Sequence, residues 1–142
     1  MRVPIRTEVL VNIALRSVAM YAPDHNVNTE NRHTFDKCNN SNGHGHNYKL
    51  EVTLFGPVDP KTGMVMNLTE LHSVIQRNVL DFVDHKNLDK DVNYFRDNSV
   101  VSTTENLAVF IWNQLLLSIP RTVLHEVKLW ETDKNVITYR GD

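Results

Sequence analysis

Cysteine is almost absent from this chain. Cys38 stands alone among 142 residues, so no disulfide can form within the chain and a reducing compartment is the natural home; the expected location is cytoplasmic. No stretch of about 18 consecutive apolar residues occurs, which argues against a membrane-spanning helix. Basic runs are missing too, and a net charge of −2 leaves no electrostatic footprint for nucleic acid. Internal repeats and low-complexity segments are also lacking. What remains is 41% hydrophobic and 23% charged, an ordinary soluble composition whose length suits one domain over residues 1–142. The start, MRVPIRTEVLVNIALR, reads as a strand rather than as a transit peptide.

Hydrophobic periodicity organises the rest. Val9, Val11, Ile13 and Leu15 alternate within residues 7–21 and predict a first strand. Residues 22–43 are polar, a long loop of the kind that often carries function. Tyr48, Leu50, Val52 and Leu54 then share one face of a second strand, and GPVDPKTG breaks the chain. NLTELHSVIQRNVLDFV predicts a helix, with an Asn67–Glu70 capping box and a stripe of Leu71, Val74, Ile75, Val79 and Phe82. STTENLAVFIWNQLLLSI predicts another, with Ser102 and Glu105 as capping box, Ala108, Ile111, Trp112, Leu115 and Ile119 as stripe, and Pro120 as stop. VLHEVKLWE (123–131) and NVITYR (135–140) are two strands close enough to pair as a hairpin. The order β-β-α-α-β-β implies an α+β fold: a four-stranded antiparallel sheet with two helices on one face. The edges of so small a sheet need cover, and edge pairing between copies is one way to supply it.

A few residues stand out chemically. His44 and His46, two apart on an extended segment, project to the same side. Such a pair can chelate zinc, whose bonds to nitrogen are roughly 2.0–2.1 Å, but a catalytic zinc needs a third protein ligand. Cys38 lies in the polar run Asp36-Lys37-Cys38-Asn39-Asn40, unlike a core cysteine. It could act as base, nucleophile or metal ligand, or be simply a small buried hydrophobe. Asp84 precedes His85 just past the first helix; the carboxylate could orient the imidazole, or the histidine could simply meet the helix dipole. Glu131 shares parity with Val127 and Leu129, so it is either a surface hairpin acid or a carboxylate that needs a partner. At a strand end it could bind an amino-pyrimidine edge through two hydrogen bonds. Thr103 and Thr104 read as helix-start residues unless a ligand sits there.

KCNNSNGHGHNY, GMVMNL, DHKNLDKDV, STTENLAVFIW and ETDKN occur in an order and spacing that resemble the animal-type 6-pyruvoyltetrahydropterin synthase family, over about Phe35 to Gly141. The resemblance implies the tunnelling fold, with trimers closing into a barrel and two trimers forming a homohexamer. It implies a zinc-dependent lyase of tetrahydrobiopterin synthesis, which converts 7,8-dihydroneopterin triphosphate to 6-pyruvoyltetrahydropterin with loss of triphosphate. By motif position Cys38 is the proton-abstracting base, assisted by Asp84 and His85 across a subunit boundary. Glu131 anchors the pterin, Thr103, Thr104 and Glu105 line its pocket, and His44 and His46 are two of three Zn2+ ligands. The third is a histidine in a motif like Phe-Ser-Ala-x-His-x-Leu. Here the matching stretch is ALRSVAMY, with Val18 at the histidine position and His25 the first histidine of the chain. That departure keeps a second reading open, a catalytically impaired pterin-binding or assembly homologue; His25, His33 or Cys38 are the candidate substitute ligands. A sister activity, carboxy-tetrahydropterin synthesis, is a third reading that KCNNSNGHGHNY and VSTTENLAVFIW disfavour.

Overall fold

The computed structural model describes the backbone of residues 6–21 and the whole of residues 44–142. Cys38, His25 and His33 lie outside the described residues. Strands β1 (Arg6–Tyr21) and β2 (His44–Pro57) are followed by α1 (Leu68–Ile75), which runs through a π-helical turn (Gln76–Leu80) into α2 (Asp81–Val83). Two short helices, α3 (Leu88–Asp91) and α4 (Asn93–Asn98), lead to α5 (Thr104–Leu116), and β3 (Leu124–Trp130) and β4 (Val136–Tyr139) close the chain. The strands form one antiparallel sheet in the order β1-β2-β3-β4.

Strand parity decides which face is buried. Tyr48, Leu50, Val52 and Leu54 are at most 3% exposed, and Val127 and Leu129 join them from β3. Lys49 and Glu51 take the other face, where Lys49 pairs with Trp130 across the ladder. The helices cover the apolar face with Leu71, Val74, Ile75, Val79, Leu107, Ala108, Ile111, Trp112 and Leu115. Each fully buried Leu or Ile contributes about 1.5–3 kcal/mol.

Local chemistry sets the helix ends. Asn67 caps α1 by accepting from Thr69 N at 2.8 Å, as its position predicts. The second cap differs from expectation. Thr103 caps α5, accepting from Asn106 N at 3.2 Å, while Ser102 is buried one residue earlier. Phe82 is a second departure: it was expected on the buried stripe and is 50% exposed. The π turn widens the helix there, so the apolar face advances by four residues at each turn, through Leu71, Ile75 and Val79 to Val83. Asn78 in that turn donates to Gln114 O at 3.1 Å, and the Gln114 amide donates back to Asn78 O at 2.8 Å. The two long helices are clasped at that point. Leu88, Val92 and Phe95 in the α2–α5 connection also join the core, where sequence periodicity over such short segments had shown nothing.

Candidate active site

The first residues of β2, the end of β3 and the start of α5 meet at one end of the sheet. Antiparallel pairing of Lys49 with Trp130 brings the His44–Tyr48 segment alongside the hairpin that begins at Glu131. His44 and His46 continue the parity of Tyr48 and Leu50, so they extend the core face into a polar pocket. Their rings meet edge to face, with centroids 4.7 Å apart and planes at 88°. His46 in turn lies 5.7 Å from the Tyr48 ring.

Glu131 joins the three elements. Thr104 donates its hydroxyl to Glu131 Oε1 at 2.9 Å, and His46 Nε2 lies 3.5 Å from the same oxygen. The backbone holds the carboxylate there: Glu131 N donates to Asn135 O at 3.0 Å, and Thr132 Oγ1 caps the turn by accepting from Lys134 N and Asn135 N. The surface-acid reading of Glu131 therefore fails; its side chain is 24% exposed and shared between two elements. Thr104 is likewise more than a helix starter, being 8% exposed and bonded across to Glu131, just past β3.

These residues line a cavity of about 470 Å³, with walls from His44, His46 and Tyr48, the run Ser102–Glu105, Glu131, and the hairpin residues 134–137. His44, His46, Thr103, Thr104, Glu105 and Glu131 are thus brought together on one cavity wall. Asp84 and His85 are not among the lining residues. They form their own exposed pair, His85 Nδ1 to Asp84 Oδ1 at 3.0 Å, with His85 in the left-handed region at φ 57°. A histidine held there departs from ordinary backbone preference. Ser102, Tyr48, Lys134, Asn135, Val136 and Ile137 complete the wall and were missed as site residues. Their one signal in the sequence is adjacency to Glu131, Thr103 and His46.

Burial pushes the His44 imidazole below its ordinary pKa, the neighbouring His46 pushes the same way, and Glu131 opposes both. A neutral imidazole keeps the lone pair that a metal ion requires. His46 Nε2 is buried without a hydrogen-bond partner among the described residues. Two nitrogen donors side by side suit zinc. Among the described residues, however, no three His, Cys, Asp or Glu side chains converge on a common cation position. The register of β1 sets Ala19 opposite His46 and Tyr21 opposite His44, while Val18 lies opposite Asn47.

The model of the 6-pyruvoyl tetrahydropterin synthase family matches residues 17–142. The chain belongs to this family. Similar proteins include the 6-pyruvoyl tetrahydrobiopterin synthases of Poecilia reticulata, 56% identical over 113 residues (80% of this chain, 76% of that protein), and of Homo sapiens, 55% identical (80% and 77%). The 6-carboxy-5,6,7,8-tetrahydropterin synthase of Haemophilus influenzae is more distant, 28% identical over 73% of this chain and 84% of its own. Among solved structures, the Caenorhabditis elegans 6-pyruvoyl tetrahydropterin synthase superimposes with a TM-score of 0.81 at 43% identity, covering 97% of this chain and 96% of that one. Among the described residues, no helix is long and apolar enough to cross a membrane.

Proposed function

We propose that this chain is a zinc-dependent lyase that converts 7,8-dihydroneopterin triphosphate to 6-pyruvoyltetrahydropterin with release of triphosphate, in tetrahydrobiopterin synthesis. One observation carries the reading: a half-buried carboxylate, Glu131, fixed by Thr104 in the same cavity as two adjoining imidazoles. A carboxylate accepts the two N–H groups of an aminopyrimidine edge, and the substrate's hydroxylated side chain then extends toward His44 and His46. The higher identity to the pyruvoyl synthases than to the carboxy enzyme supports this substrate over the sister reaction.

In this proposal His44 and His46 hold the zinc. When bound, the metal supplies Lewis acidity toward the substrate's side-chain hydroxyls. Glu131 fixes the ring so that the side chain presents its C–H bonds in one orientation, which is the entropic part of catalysis. Cys38 takes the proton, and the Asp84–His85 pair polarises that transfer from a neighbouring copy, since it stands outside this chain's own cavity wall. The site thus works in the homohexamer, a dimer of trimers, and in the cytoplasm.

A second reading, a pterin-binding homologue with impaired catalysis, is favoured by Val18 and by a donor set of only two imidazoles among the described residues. Zinc per chain and turnover of 7,8-dihydroneopterin triphosphate separate the two. Near one zinc per chain with triphosphate release sustains the lyase. Metal and turnover that appear only after Val18→His would establish the binding homologue instead.

A further inference from the structure

Three hydroxyl groups stand at the start of α5. Thr103 Oγ1 caps the helix, accepting from Asn106 N at 3.2 Å, and the Thr104 hydroxyl is given to Glu131 at 2.9 Å. Ser102 is the exception. It is 3% exposed, its Oγ is buried without a hydrogen-bond partner among the described residues, and it lines the cavity. Buried hydroxyls are normally satisfied, and one left alone is destabilising. Neither the cap nor the Glu131 contact uses it, so nothing among the described residues accounts for its polarity.

We propose that Ser102 is a specificity-determining residue that donates its hydroxyl hydrogen to a ring acceptor of the bound heterocycle; this rests on the pterin reading above. A 2-amino-4-oxo pyrimidine edge carries two N–H donors, flanked by the 4-oxo oxygen on one side and a ring nitrogen on the other. An ionised Glu131 can accept but not donate. It matches the two donors and can do nothing for the flanking acceptors. A hydroxyl in the wall of the same cavity supplies the missing donor. Rotation about χ1 between staggered positions turns Oγ from the wall toward the cavity. Ligand binding then gives Ser102 the partner it lacks, and a ring without an acceptor next to its N–H edge leaves it unpaired.

The test uses the full chain, unmodified and as Ser102→Ala and Ser102→Cys, with 7,8-dihydroneopterin binding followed by titration calorimetry and melting temperature measured in parallel. Ser102→Ala is expected to weaken binding about 3–10-fold, the range for one neutral hydrogen bond. Its melting temperature should stay level or rise, because an unpaired buried hydroxyl has gone. Ser102→Cys, a weak donor of similar size, should fall between. Equal binding by Ser102→Ala overturns the proposal, and so does a fall in its melting temperature, which would assign the hydroxyl to the fold. If the unmodified chain does not bind the probe, the pterin reading falls and takes this proposal with it.

Discussion

Replacing Glu131 by glutamine tests the centre of the site with little disturbance around it. The amide keeps the shape and one oxygen, so the Thr104 hydroxyl, now 2.9 Å from Oε1, retains an acceptor. The charge is lost, and one acceptor becomes a donor that opposes the N–H edge of a pterin. Hydrogen bonds to a charged group are worth about 1.5–3 kcal/mol. Binding of 7,8-dihydroneopterin should therefore weaken about 10–150-fold. Stability should change by less than about 1 kcal/mol, because the group is partly exposed and Thr104 stays paired. Glu131→Ala is the contrast: it also strands the buried Thr104 hydroxyl and should cost about 1–3 kcal/mol by chemical denaturation. Fluorescence titration and denaturation of both variants give the answer. If Glu131→Gln bound the pterin as tightly as the unmodified chain, that would falsify the anchoring role, and with it the argument from geometry to substrate.

Other consequences follow from particular residues. Because the His44 pKa is lowered in the fold, the unfolded chain binds the extra proton first. Stability should be full above the ordinary histidine pKa, about 6.5, and should fall as pH drops below it. Denaturation midpoints across that range should slope less in His44→Asn, and an unchanged slope would remove His44 as the cause. Gly141 adopts φ +85°, and an added Cβ would lie 2.6 Å from the Trp112 ring. Gly141→Ala should destabilise by about 1–3 kcal/mol, and a melting curve at or above that of the unmodified chain would contradict this. Leu129 is fully buried between sheet and helices, so Leu129→Ala should cost about 2–5 kcal/mol in denaturant unfolding. A loss under about 1 kcal/mol would mean that the site collapses without a cavity.

Much of this molecule is written locally. Alternation in Tyr48, Leu50, Val52 and Leu54 and the stripe in α5 depend on spacing alone, because a strand repeats every two residues and a helix every 3.6 or so. The N-cap Asn67 and the breaker Pro120 act on neighbours. The motifs around His44, His46, Thr103 and Glu131 were legible for the same reason: each is a short run of unusual chemistry. Phe82 departs from the predicted face because of the π turn, whose Asn78 is bonded to Gln114 of α5, and no periodicity announces such a turn. Ser102 reads as a cap because Ser and Thr are alike in sequence as acceptors, and only the folded chain shows that Thr103 accepts from Asn106 N.

The sequence by itself determined the α+β class, the buried faces of β2 and α5 and the family, all carried by runs of adjacent residues. Tertiary structure decided that Glu131 would be a shared carboxylate rather than a surface acid. Its partner Thr104 is 27 residues away, and the antiparallel register of β2 with β3 is what sets His46 beside both. The same packing left Asp84 and His85 outside the cavity wall. A hydrogen bond between distant positions depends on where folding puts two backbones, and that is a property of the packed core as a whole.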